Sequence, residues 1–380
     1  HLQQSIHFSS SLMDWASIFA VRSCRSQSGR THHLRGESSM SSLTISNTRL
    51  YLPSGYLNMG LSFDSPFSIW IGGRGIGKTY GIIDECLERG LTFMLIRRTQ
   101  TQADIIAQPQ LSPIVPNCRD RSIDFTTRSL VRQLRAYYYS DANTPFGYTA
   151  ALSTFANLRG FSAQDIKVLI YDEFIGQETD PPLKHEFSAL LNCYETINRN
   201  RELQGEQPLR LVMMANSYKI ANPIMMGLQL VQDAYEMRQR GDEIGRFPER
   251  GLNIYMPLRS EISEKKSKTA LYQFAPQSYT DFALNNQFQY DNPMNVGKKP
   301  LKEYRVLAKI GELSICAHKS SGDLYITTEK TGGCSDIFTT DDTDIEYFRK
   351  RYMILQMRYM AKKLHFFSYA AQAMLENIIF

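Results

Sequence analysis

Five short apolar runs punctuate the chain: 67–71 (FSIWI), 91–96 (LTFMLI), 166–171 (IKVLIY), 209–215 (LRLVMMA) and 252–256 (LNIYM); the first four give way to a polar or glycine residue and the last to Pro257. Near-continuous apolarity, rather than alternation, predicts strands buried on both faces, as in a mainly parallel sheet. The last run is expected at the sheet edge. Helical spacing is predicted over 80–88 and over 184–201. The second helix is opened by Asp180-Pro181-Pro182 and carries Phe187, Leu190, Leu191, Tyr194 and Ile197 on one face. Between the second and third runs the pattern is harder to read. Pro109, Pro113 and Pro116 break it, and residues 122–135 and 150–156 are expected to hold strands of a hairpin-like insertion.

The pattern changes at about residue 259. Residues 259–300 are polar and predict a linker or a small bridging module. Alternation returns over 304–308, 313–317 and 324–326, with Ser320-Ser321-Gly322-Asp323 marking a hairpin between the last two. Thr340-Asp341-Asp342 is a good N-cap for a helix over 343–363. Its Arg349, Lys350, Arg351, Arg358, Lys362 and Lys363 are interleaved with Tyr347, Phe348, Tyr352 and Tyr359. That face suits a nucleic-acid backbone, or is simply solvated. Residues 1–39 are Ser-rich and acid-poor, with Arg22, Arg25, Arg30 and Arg35. They open an extension, taken over 1–50, that reads as disordered or non-native with Met40 as a candidate start, against the rival reading of a transit peptide.

Composition adds limits. A chain of 380 residues can bury a sizeable core and a second smaller one. A formal net charge of +5 supports no electrostatic claim by itself. Six scattered cysteines with no C-x-x-C pair argue against a zinc site or disulfide framework and fit a reducing compartment. No apolar run approaches a membrane span.

The chemistry sits at the strand ends. The first strand runs into Gly72-Gly73-Arg74-Gly75-Ile76-Gly77-Lys78-Thr79, the spacing of a phosphate-binding loop. Glycines let backbone N–H groups curl around phosphate oxygens, and the following helix offers its positive end. Lys78 would bring a charge to the β- and γ-phosphates of ATP, and Thr79 a hydroxyl to Mg2+. The second strand ends in Arg97-Arg98, which could face a phosphate or DNA, or be a solvated strand end. The third ends in Asp172-Glu173: the Asp to hold Mg2+ through water, the Glu to orient or deprotonate an attacking water. An Asp-Glu pair favours a hydrolase over a P-loop phosphotransferase. Arg199 and Arg201, after the second helix, could serve as a finger for a neighbour's γ-phosphate or as ordinary helix-end cations. Asn216, past the fourth strand, is a γ-phosphate sensor or a turn former.

Taken together, GGRGIGKT (72–79), VLIYDEF (168–174), EFSALLN (186–192), RNRE (199–202), Ala215-Asn216 and Asn222-Pro223 resemble, in the same order, the DNA-encapsidation ATPases of small protein-primed tailed phages, compact relatives of terminase large subunits. The likeness is dense in the first half and thin afterwards, apart from 285–288 and 322–326. It implies an α/β additional-strand P-loop NTPase domain over 51–258, a linker over 259–300, and a smaller α+β domain over 301–380 shaped like an inactive RNase H-like nuclease. It further implies an ATP- and Mg2+-dependent motor subunit in a homo-oligomeric ring. Such a motor drives double-stranded DNA through the portal vertex of a capsid in the host cytoplasm, without a membrane. On that resemblance Arg74 is the loop arginine, Lys78 the phosphate lysine, Thr79 and Asp172 the Mg2+ holders, Glu173 the water activator, Arg199 the trans finger, and Asn216 the coupling residue. The family's lysine after the arginine pair has no counterpart in Thr99-Gln100-Thr101-Gln102. Residues 313–318 carry no carboxylate, which argues against nuclease chemistry. The alternative from another class is a nucleotide-switched regulator or scaffold without motor activity.

Overall fold

The computed structural model describes residues 49–158, 160–161, 164–177, 180–288 and 291–380. The expectations for the first 48 residues lie outside these. Nine strands build one mixed sheet: β1 (Phe67–Ile71), β2 (Phe93–Arg97), β3 (Phe125–Val131), β4 (Leu134–Tyr139), β5 (Pro145–Ala151), β6 (Val168–Asp172), β7 (Arg210–Ala215), β8 (Ile244–Phe247) and β9 (Leu252–Tyr255). Their order is β3-β4-β5-β2-β6-β7-β1-β9-β8. Neighbours from β5 to β9 run parallel, and antiparallel pairs close both ends.

The apolar runs become central strands because both of their faces are covered. Ile69 and Ile71 of β1 join one core with Met94, Ile96, Leu169 and Tyr171. Trp70 points into the other, with Phe93, Leu95 and Ile170. There its indole donates to Ser62 Oγ (2.9 Å) and stacks on Tyr255 at 4.0 Å between centroids. Helix α1 (Lys78–Glu88) covers the Trp70 face through Ile82, Ile83 and Cys86, beside α2 (Gln100–Ile106) and α3 (Val115–Asp120). The opposite face is covered by α4 (Glu186–Asn198), α5 (Pro223–Gly227) and α6 (Val231–Arg240).

Several expectations need correction. Residues 252–255 are not an edge: β9 lies between β1 and β8, the strand the apolar pattern missed. Residues 125–151 are not an insertion. They extend the sheet as an antiparallel meander whose third strand, β5, pairs parallel with β2. Helix α4 starts after His185, which sits at φ 54°, rather than at the prolines. Leu191 on α4 is exposed, and Cys193 takes the buried position instead.

Residues 261–284 form three short helices, α7 (Glu261–Ser267), α8 (Ala270–Phe274) and α9 (Gln277–Leu284). The end of α9 (Phe282, Ala283 and Leu284) is buried in the core of the large sheet. A second sheet follows, with β10 (Tyr304–Ile310), β11 (Leu313–His318), β12 (Leu324–Thr327), β13 (Asp336–Phe338) and β14 (Leu364–Phe366) in the order β13-β10-β11-β12-β14. The expected hairpin is β11–β12. Strands β13 and β14 pair parallel with β10 and β12.

The helix expected over 343–363 is two, α10 (Asp342–Arg351) and α11 (Met353–Met360), broken at Tyr352. The Tyr352 ring stacks on Phe348 at 5.0 Å, and its hydroxyl donates to Asp336 (2.6 Å). A last helix, α12 (Tyr369–Ile379), joins the two sheets. Its Tyr369 and Ala373 lie in the large core and its Ala371, Leu375 and Ile378 in the smaller one. Lys219 pairs with Glu376 across this junction at 3.0 Å.

Candidate functional site

The carboxyl ends of β1, β6 and β7 meet at a cleft of about 900 Å3, lined among others by Arg74, Gly75, Gly77, Lys78, Thr79, Asp172, Glu173 and Asn216. Parallel strands explain the convergence. Every crossover returns to the same edge, so each run's terminal polar residue lands there. Strand β7 lies between β1 and β6, one strand separating the glycine loop from the acids.

The loop turns into α1 at Gly77, whose φ of 95° a side chain rarely adopts and whose Cβ position is crowded by the Tyr56 ring. The Lys78 ammonium donates to Gly72 O (2.8 Å), Gly73 O (2.7 Å) and Asn216 Oδ1 (3.1 Å). Burial pulls its pKa down to about 8, against the opposing pull of Asp172 and Glu173. Thr79 Oγ1 donates to Asp172 Oδ2 (3.1 Å). Burial also pushes the Asp172 carboxyl above the usual carboxylate range, although Arg97 opposes it. Glu173 is half-exposed and sits at φ 59°, a left-handed conformation that costs a non-glycine residue about 1–2 kcal/mol. The next residue, Phe174, is buried and donates to Met214 O (3.2 Å), pinning the turn to β7. Arg74 donates to the Tyr218 hydroxyl and lies 5.7 Å from the Phe282 ring centroid.

Lys78, Thr79, Asp172, Glu173, Arg74 and Asn216 are thus brought together. Arg199 is not among the lining residues of its own chain's cleft. It caps α4 at φ 50° and donates to Thr196 O (3.3 Å) and Phe161 O (2.7 Å). The basic pair after β2 turns inward rather than toward solvent or DNA. Arg97 bridges Asp172 (2.9 Å) and Glu173 (2.5 Å), and Arg98 holds buried Glu186 through two bonds of 3.0 and 3.1 Å. Arg97 is placed by the strand pairing: the register that pairs Ile96 with Tyr171 puts it opposite Asp172. Lys266, which donates to Arg74 O (2.8 Å), had no local signal.

On α10 and α11, most of the basic side chains are already engaged. Arg349 donates to Ile378 O, Lys350 pairs with Glu346, Arg351 with Asp336, and Arg358 donates to Gly322 O. Among the described residues no cluster of three or more His, Cys, Asp or Glu could hold a metal, and no helix is long and apolar enough to cross a membrane.

Two oxygens, the Thr79 hydroxyl and the Asp172 carboxylate, share the loop's mouth. They are hard donors suited to Mg2+, and the cations around them suit a polyphosphate. The chain is 25% identical over 293 residues to the DNA packaging protein of Bacillus phage phi29, covering 74% of this chain and 81% of that protein. It is 24% identical over 313 residues to that of Bacillus phage B103, covering 78% and 90%. Its fold is similar to a chain in the bacteriophage Phi-29 viral genome packaging motor assembly. The TM-score is 0.62 at 17% identity, over 87% of this chain and 98% of that one. A chain of the Phi-28 gp11 DNA packaging motor gives 0.56 at 17% identity, over 87% and 96%. Residues 50–376 match the Podovirus DNA encapsidation protein (Gp16) family, and the chain belongs to that family.

Proposed function

We propose that this chain is the ATP-hydrolysing subunit of a motor that moves double-stranded DNA into a preformed capsid. The observation that carries the reading is the convergence of Lys78, Thr79, Asp172 and Asn216 at one parallel edge. The relatives, DNA packaging proteins and a chain of a genome packaging motor, suggest the mechanical role. The strand order, with β7 interposed between β1 and β6, supports an additional-strand P-loop domain.

ATP would lie in the loop with its phosphates toward Lys78 and Arg74, and Thr79 and Asp172 would hold Mg2+. That ion would supply neutralisation of the phosphate charge. Glu173 would orient the attacking water and accept its proton, and Asn216 would report the γ-phosphate to β7. Because Arg97 clasps Glu173, catalysis requires that this ion pair loosen. The division at 51–258, 259–300 and 301–380 stands as a functional proposal, with the last part a nucleic-acid-contacting relative of RNase H-like nucleases whose β11 carries no carboxylate. The antiparallel β10–β11–β12 meander supports it. Assembly into a ring on a portal vertex within an infected host cell, with Arg199 reaching a neighbour's cleft, completes the proposal.

The clasp on Glu173 is also the one observation that favours a nucleotide switch without motor activity. ATP turnover by the purified chain, with and without double-stranded DNA, separates the two. A motor is expected to turn over faster on DNA. Turnover indifferent to DNA would remove the motor reading.

A further inference from the structure

Three cations converge on the phosphate loop, and one of them comes from outside the sheet. Lys266, near the end of α7, donates to the Arg74 carbonyl at 2.8 Å; it is not among the residues that line the cleft, so it would reach a phosphate there only by leaving that carbonyl. A Cβ on Gly75 would lie 2.3 Å from its Nζ, so the bare backbone there, at φ 70°, is what admits the ammonium. The charge is half-buried and is held there against like charges. Burial and then the Arg74 guanidinium lower the Lys266 pKa, and Lys266 in turn helps to lower that of Lys78. The two acids of the strand ends are occupied by Arg97. Both cations are set against aromatic rings: Arg74 lies 5.9 and 5.7 Å from the Tyr218 and Phe282 centroids, and Lys266 5.7 Å from that of Tyr272. A partly desolvated ammonium beside another cation, as Lys266 is beside Arg74, is favoured when a polyanion binds next to it.

We propose that Lys266 is a phosphate ligand: it binds the polyphosphate of the nucleotide from the α7 side, as a third cation beside Arg74 and Lys78. The inference rests on the nucleotide reading above. It also gives the segment 261–288 a role. The same segment holds the loop at two further places: Arg74 N–H donates to Ala283 O (2.7 Å), and Asn286 Nδ2 donates to Ile71 O (3.0 Å) and Pro257 O (2.8 Å). A phosphate that draws Lys266 off the Arg74 carbonyl therefore acts on a segment that is also held at the start of the loop, at Ile71 and at the Arg74 N–H. From there the chain continues to Asp291, which accepts from the Ile220 N–H (3.0 Å) and from the Tyr369 hydroxyl of α12.

The test is calorimetric titration of ATP into the full chain, for the natural protein and for Lys266→Met, Lys266→Gln and Lys266→Arg. Lys266→Gln keeps a donor for the Arg74 carbonyl and removes only the charge. Both uncharged variants are expected to bind ATP about tenfold more weakly, the loss of one charge-assisted hydrogen bond. Lys266→Arg should recover most of that loss. The melting temperature of the uncharged variants without nucleotide should be unchanged or higher, since a like charge is gone. Natural affinity in Lys266→Gln overturns the proposal, as does a lowered melting temperature with unchanged affinity. If the natural chain itself fails to bind ATP, the nucleotide reading is what falls.

Discussion

Lys78 shows how burial and charge compete at a single residue. Its ammonium has three oxygen acceptors, yet desolvation outweighs the acids nearby and the pKa falls to about 8, from an ordinary lysine value of 10.5. Between those values the unfolded chain binds a proton that the folded chain has released. Stability contributed by this residue therefore rises with pH across about 8 to 10.5, and below about 8 the charged form bears its desolvation cost in full. Urea unfolding is expected to show the natural chain gaining stability over Lys78→Met across that interval; parallel curves would mean that Lys78 keeps its proton. The residue types around it were readable because their spacing is dictated by local backbone geometry: loop glycines, the lysine and the hydroxyl follow one another directly. Arg97 was read less well. A strand-end arginine looks the same in sequence whether it faces solvent or an acid, and only the neighbouring strand decides.

At the scale of elements, α4 depends on its first residue. Glu186 is 2% exposed and accepts Arg98 Nε and Nη2 at 3.0 and 3.1 Å, together with the Tyr171 hydroxyl. These bonds join the ends of β2 and β6 to the helix whose far end carries Arg199. Glu186→Gln keeps the shape but, among the described residues, leaves the buried guanidinium with Asp180 as its carboxylate partner, at 3.7 Å. A loss of about 3–5 kcal/mol is expected in denaturant unfolding. A loss near zero would show that Asp180 takes over the pair. Long buried strands were legible because double-sided burial leaves a run of apolar residues. The break at Tyr352 was not, since 343–363 has an acceptable helical pattern throughout. The Phe348 ring and the Asp336 carboxylate that hold Tyr352 are reached through tertiary contacts. Strand β8 was missed for a related reason: IGRF has a half-exposed pattern, as befits an edge.

For the whole molecule, the proposed ring makes one sharp demand. Arg199 caps α4 on carbonyls of its own chain and is absent from its own cleft's lining, so a finger role requires a neighbour. When Arg199→Ala chains are mixed with natural ones, ATP turnover should fall more steeply than the natural fraction. Turnover proportional to that fraction would remove the trans role. The chain's own residues determined the α/β class, the succession of buried strands along the chain, and the glycine loop and acids proposed for the nucleotide. These depend on periodicity and on groups a few residues apart. Which strand lies beside which, that Arg97 clasps both acids, and that the polar stretch after 259 folds onto the loop through Lys266 and Asn286 were decided only by the tertiary structure. The physical reason is the distance in sequence: Lys266 and Arg74 are 192 residues apart, and no local pattern can encode a contact whose energy exists only once the sheet has brought both ends together.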